Sequence, residues 1–190
     1  HLPHLIAFVA ASFLNRLGVV VPDESEELRR FLRISRSNPR MWTDVFLENR
    51  AALLPALAAY QAVLRHLAAE LRSGPAQSQP QATPARAAAH LPRILAASLI
   101  STVAVYEQHA GASVRRFGAG GMRDIVAPAA SAPEAQIEAI SAEAASVALL
   151  IENILPRFAE IERLITLEEE PALLALLTQV QREASRLSQP

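Results

Sequence analysis

The seven residues that open the chain, His1-Leu-Pro-His-Leu-Ile-Ala7, return near its middle as His90-Leu-Pro-Arg-Ile-Leu-Ala96. Two further echoes follow in the same order: Ser37-Asn-Pro39 with Ser131-Ala-Pro133, and Leu47-Glu-Asn49 with Ile151-Glu-Asn153. Three matches in sequence predict a degenerate duplication, in which each unit buries its apolar face against the other. Between the copies lies Gly74-Pro-Ala-Gln-Ser-Gln-Pro-Gln-Ala-Thr-Pro84, which holds three prolines, three glutamines and no large apolar residue. Such a stretch cannot bury enough surface to offset the entropy of ordering it, and it reads as a linker. The predicted organisation is a first helical repeat over 1–73, a Pro/Gln/Ala-rich linker over 74–89 and a second, divergent repeat over 90–190.

Each half reads as a short helical hairpin followed by a long helix. Pro3 and Pro92 sit where a first helical turn tolerates proline, because that position has no partner for an N–H. Asp23-Glu-Ser-Glu-Glu27 places acids at the positive end of a helix running towards Arg36. Asn38-Pro39 is a cap followed by a first-turn proline. It opens an apolar stripe of three-and-four spacing through Trp42, Phe46, Leu53, Leu57, Leu64 and Leu71, which Gly74 stops. Pro55 is expected to kink this helix without ending it. Ser131-Ala-Pro133 opens a similar helix through Ile137, Ile140, Val147, Ile151 and Leu155, and a last helix runs from Pro171 to Leu187. No alternating run is long enough for a strand, and 5% aromatic content also disfavours a sheet. The predicted class is an all-α bundle of two repeats with no dinucleotide-binding Rossmann domain.

Charge and residue usage exclude several kinds of chemistry. A net charge of -1 rules out a general electrostatic grip on nucleic acid. The absence of cysteine removes disulfides, thiol nucleophiles and thiolate metal sites. All 18 basic residues are arginine, which excludes Schiff-base lysine chemistry. The apolar stretches Leu5–Leu14 and Ile94–Tyr106 are too short to span a membrane, so no membrane association is expected. No Met start or signal-type segment precedes them, which predicts a cytoplasmic chain and a mature piece or fragment.

Three places can carry polar chemistry. His1 and His4, three residues apart, share one helix face. A metal reading would need further ligands that the spacing does not supply, and the alternatives are a tag remnant for His1 and a partly buried structural histidine for His4. Arg33 lies at a helix junction, able to make a planar two-pronged bond to a carboxylate or to pair with Glu24, Glu26 or Glu27. The Gly118-Ala-Gly-Gly121 run reads as a flexible turn, the alternative being backbone amides exposed to an anion.

Taken together, HLPH opening a helix and Arg33-Ile-Ser-Arg-Ser-Asn-Pro-Arg-Met-Trp-Thr-Asp-Val-Phe-Leu-Glu-Asn-Arg50 resemble the C-terminal helical domain of prephenate (or arogenate) dehydrogenases. There the pattern runs HLPH, a glycine-rich turn, then TRIA-S-DP-MW-DI-N before a long helix. Gly120-Gly-Met-Arg-Asp-Ile-Val126 with Ala129-Ala-Ser-Ala-Pro133 is similar to the turn and the stretch after it. The resemblance implies a complete enzyme that oxidises prephenate to 4-hydroxyphenylpyruvate, or arogenate to tyrosine, with loss of CO2 and hydride transfer to NAD or NADP. It implies that the nucleotide domain and catalytic histidine lie N-terminal to the helical domain, which leaves no catalytic, cofactor or metal residue in this stretch. It also implies self-association, His4 bonding substrate, Arg33 pairing with a substrate carboxylate and His1 lining the entrance.

Departures from the pattern are specific. The first half has Val21-Pro-Asp-Glu-Ser-Glu-Glu27 in place of the glycine turn. The second keeps the turn but has Ala127 at the arginine position and Arg93 at the second histidine. Only the first copy is then expected to bind prephenate or arogenate. The alternatives are a non-catalytic helical interaction module, with Arg33 and His4 merely satisfying neighbours, and a sensor of aromatic ligands. The duplication further predicts an internal pseudo-dimer with the long helices Pro39–Ser73 and Pro133–Ile165 in contact, as against two bundles on a loose tether.

Overall fold

The computed structural model describes residues 1–18, 26–74, 87–110, 120–130 and 133–187. These residues form nine α-helices and no strand, so the chain is all-α. The helices are α1 (Leu2–Arg16), α2 (Glu26–Ser35), α3 (Pro39–Glu48), α4 (Arg50–Ser73), α5 (Leu91–Ala110), α6 (Gly120–Val126), α7 (Pro133–Ala142), α8 (Ala144–Thr166) and α9 (Glu170–Leu187). A 3-10 turn, Ala127–Ala130, follows α6. Most of the 74–89 linker, and part of the glycine-rich run, lie outside the described residues. Ala87 and Ala88, at the linker's predicted end, are buried.

Local chemistry sets the boundaries. Gly18 takes a left-handed φ of 60° after α1 and donates its N–H to Asn15 O at 3.1 Å, the conformation in which glycine carries no Cβ penalty. Asn38 caps α3 by accepting the Met41 N–H at 3.2 Å, with Pro39 in the first turn. The sequence predicted one unbroken helix from Pro39 to Ser73, whereas the structure interrupts it at Asn49 (φ -99°, ψ 11°). The Asn49 side-chain amide donates to Val45 O at 2.7 Å, and its backbone N–H reaches the same carbonyl at 3.1 Å. That local bonding competes with continuation of the helix. A second break falls at Glu143 (φ -115°, ψ 21°), whose backbone N–H turns back to Ile140 O at 3.2 Å. Pro55 and Pro156 lie inside α4 and α8, which run through both. Gly74 does end α4, in extended geometry (φ -62°, ψ 160°).

Helices α4 and α8 form the central seam of the core. Their pairings fix the direction: Gln61 Nε2 donates to Glu162 Oε2 at 2.6 Å, while Arg72 meets Glu152 through two bonds of 2.6 and 2.5 Å. Position rises on α4 as it falls on α8, so the helices are antiparallel. Packing around the seam is reciprocal: α1 lies on α8 and α5 on α4, while α1 touches α6 and α5 touches α2. Matched pairs of this kind are what an isologous twofold interface produces. Helix α9 departs from the symmetry. It packs on α1, α2 and α3, where Arg40 Nη1 bonds Glu170 at 2.7 Å and Gln181 Nε2 donates to Arg36 O at 3.1 Å. The last segment of the second half thus covers the first.

By length and composition alone, α4 is long and apolar enough to cross a membrane, a possibility the shorter apolar runs had not raised. Here its apolar side faces α8. Tyr60 on α4 is fully buried, donates its hydroxyl to Leu95 O of α5 at 3.2 Å and meets Phe158 edge-on. Burial drives its phenol pKa well above 10. Tyr60→Phe removes one buried hydrogen bond and no volume. The expected loss is about 0.5–1.5 kcal/mol in denaturant unfolding, with an unchanged m value.

Candidate functional site

The N-terminal turn of α1, the end of α2, the start of α3 and the short α6 meet at one side of the molecule. His4 stacks on Trp42, with ring centroids 3.7 Å apart and planes at 21°. His1 approaches the same indole edge-on at 6.2 Å. Trp42 then leads through Phe46 at 5.4 Å, and Phe46 to Phe8 at 6.4 Å, into the core. An aromatic floor therefore underlies the two imidazoles and anchors them to packed helices. Trp42 is 9% exposed, and its indole N–H is buried without a hydrogen-bond partner among the described residues.

Beside this floor, Arg33 Nη2 donates to Asp124 Oδ2 at 2.6 Å. The Arg33 side chain is 60% exposed and that of Asp124 31%. The predicted partners Glu24, Glu26 and Glu27 have no described side chains. The observed partner comes instead from the glycine-rich stretch of the other half, which the sequence read as a turn and which is helical from Gly120.

Burial, and after it the ammonium of the first residue, pull the His4 pKa down from 6.5 to about 4 against the opposing Asp124 carboxylate. Asp124 thus faces both His4 and Arg33. His4 is neutral at pH 7, so it offers one donor and one acceptor and no charge. Because the folded value lies below the unfolded one, the unfolded chain binds the extra proton. The associated stability is full above pH 6.5, falls as pH drops from 6.5 to about 4, and levels off below that. The sequence alone would have placed this titration at the ordinary histidine value. The chain has one tryptophan, so emission reports this site alone. The expected difference between wild type and His4→Gln is an emission step with its midpoint near pH 4. Acid destabilisation in the variant should be smaller by about 1–2 kcal/mol after solvent screening. A step near pH 6.5 would contradict the buried placement.

His1, His4 and Arg33, singled out from the sequence, lie in this one region, but two neighbours were missed. Trp42 was read as part of an apolar stripe and of the block that carries the resemblance, not as a site residue, and Asp124 only as part of a glycine-rich turn. Their sole signals were that Trp42 is the one tryptophan and that Asp124 follows the glycine pair. Contact with His4 and Arg33 needs the tertiary fold. Among the described residues no three His, Asp or Glu side chains converge as metal ligands. In the second half, His90 at the place of His1 faces Glu143, with Nε2 3.4 Å from Oε2 and both side chains nearly buried.

Comparison with known families gives a match to the model of the prephenate dehydrogenase, dimerization domain, over residues 1–80 and 86–179. No curated protein and no solved structure matches the chain.

Proposed function

Since the chain belongs to the family of prephenate dehydrogenase dimerization domains, we propose that it is the substrate-binding and self-associating helical portion of a prephenate dehydrogenase-like oxidoreductase. The complete enzyme would act in cytoplasmic tyrosine biosynthesis, decarboxylating prephenate or arogenate as hydride passes to NAD or NADP. The nucleotide would be held by a domain outside this sequence. This chain's residues bind and orient substrate. Arg33 pairs with a carboxylate, neutral His4 donates or accepts a hydrogen bond, Trp42 walls the ring face and His1 stands at the mouth. The observation that carries this reading is that His1 and His4 gather on the single tryptophan while Arg33 bonds Asp124, the carboxylate that also acts on His4.

The two halves are proposed to be diverged copies of one repeat. The family match falls in two stretches that meet at the linker, and the packing around α4 and α8 is reciprocal. A second reading, a helical interaction module without ligand, is favoured by one observation: Arg33 already has a protein carboxylate. Titrating prephenate into the chain while following Trp42 emission separates the two. A saturable change that His4→Asn weakens supports the substrate site, and a flat response up to millimolar ligand supports the interaction module.

A further inference from the structure

The charge balance of this cluster narrows its ligand further, an argument that rests on the substrate-site reading above. Arg33 gives one nitrogen to Asp124 and leaves the rest of a 60% exposed side chain open. Asp124 engages Arg33 through Oδ2, and its side chain remains 31% exposed. His4 adds no charge near neutral pH. A guanidinium and a carboxylate therefore stand 2.6 Å apart as equal and opposite charges, the carboxylate also acting on His4 where it stacks on Trp42. An α-keto acid brings only anionic charge to such a pair, and Asp124 repels what Arg33 attracts. An α-amino acid brings a carboxylate and an ammonium at comparable separation, so each finds its complement. The indole N–H of Trp42 is buried without a partner among the described residues, a donor still open to a polar group.

We propose that this site selects a ligand with an α-amino-acid headgroup over the corresponding α-keto acid, its carboxylate on Arg33 and its ammonium on Asp124. Of the family's two substrates this chain is then built for arogenate, with tyrosine as the matching product. Selectivity comes from the second half, which has Ala127 and Arg93 where the first keeps its arginine and histidine. Asp124 enters the site from across the molecule.

The test compares L-tyrosine with 4-hydroxyphenylpyruvate, which share a ring and differ in amino against keto group. Both are titrated calorimetrically into the 190-residue chain and into Asp124→Asn, which keeps shape and removes charge. The ammonium at His1 is present in both proteins and cancels from the change in preference between them. Wild type should bind tyrosine at least about tenfold more tightly, the size of one charge-assisted bond. In Asp124→Asn the preference should vanish or invert, with an unchanged melting profile as the check on folding. Equal or tighter binding of the keto acid by wild type overturns the inference, as does a preference that survives Asp124→Asn. If the keto acid binds through Arg33 with no preference for tyrosine, only the headgroup assignment fails. If neither ligand binds at millimolar concentration, the substrate-site reading fails with it.

Discussion

Phe158→Ala is expected to cost about 3–5 kcal/mol of folding stability, the range for emptying an aromatic position in a close-packed core. Phe158 is fully buried at the middle of α8 and meets the Tyr60 ring at 5.4 Å and 68°, across the seam between the halves. The cavity therefore opens where the two halves are joined, and antiparallel helices held elsewhere by their own packing cannot close in to refill it. For a chain of this size the melting temperature should drop by about 6–20 °C. Phe158→Leu keeps much of the volume and should lose clearly less. Urea titration of both variants checks the order. A loss under about 1 kcal/mol for the alanine variant would mean that the seam does not hold the fold together.

The second large effect is on binding. Arg33→Ala should weaken prephenate or tyrosine binding roughly ten- to a hundredfold, as expected when a charge-assisted bond of about 1.5–3 kcal/mol is lost. Its effect on stability should be small, because the Arg33–Asp124 pair has side chains 60% and 31% exposed. Arg33→Lys should recover only part of the affinity, since an ammonium cannot present the planar fork. The outcome opposite to this, unchanged affinity with a lowered melting temperature, would assign Arg33 to holding α6 against α2. Tryptophan emission and thermal melts on the same samples distinguish the two.

The all-α class was legible because its signals are local. The apolar stripe through Trp42, Phe46, Leu53 and Leu57, the Asn38-Pro39 cap and the missing alternation each depend on near neighbours. The breaks at Asn49 and Glu143 were less visible, since neither is marked by proline: at Asn49 a side-chain amide bonds back to a carbonyl, and at Glu143 only the backbone N–H turns back, to Ile140 O. Pro55 carried the stronger breaking signal, yet α4 continues through it. The candidate site divides along the same line. His1 and His4 are one turn apart and show themselves in sequence, and Arg33 stands out beside a recognisable cap. Asp124 could not be placed, because 91 positions separate it from Arg33 and only packing of α6 on α1 and α2 closes that distance. The His4 pKa was equally hidden, because it is set by burial.

The antiparallel α4–α8 seam also bears on how the chain responds to change over time. In a pair of identical subunits every substitution appears twice, once on each side of the twofold axis, so both faces must tolerate it together. Here each residue of the seam occurs once. Tyr60 can stand on one helix and Phe158 on the other without either needing to pack against itself. The joint is also indifferent to dilution in itself: its two faces belong to one molecule and stay at high effective concentration. The carboxylates on the later helices are accordingly free to serve different partners, Glu143 facing His90 and Asp124 reaching Arg33.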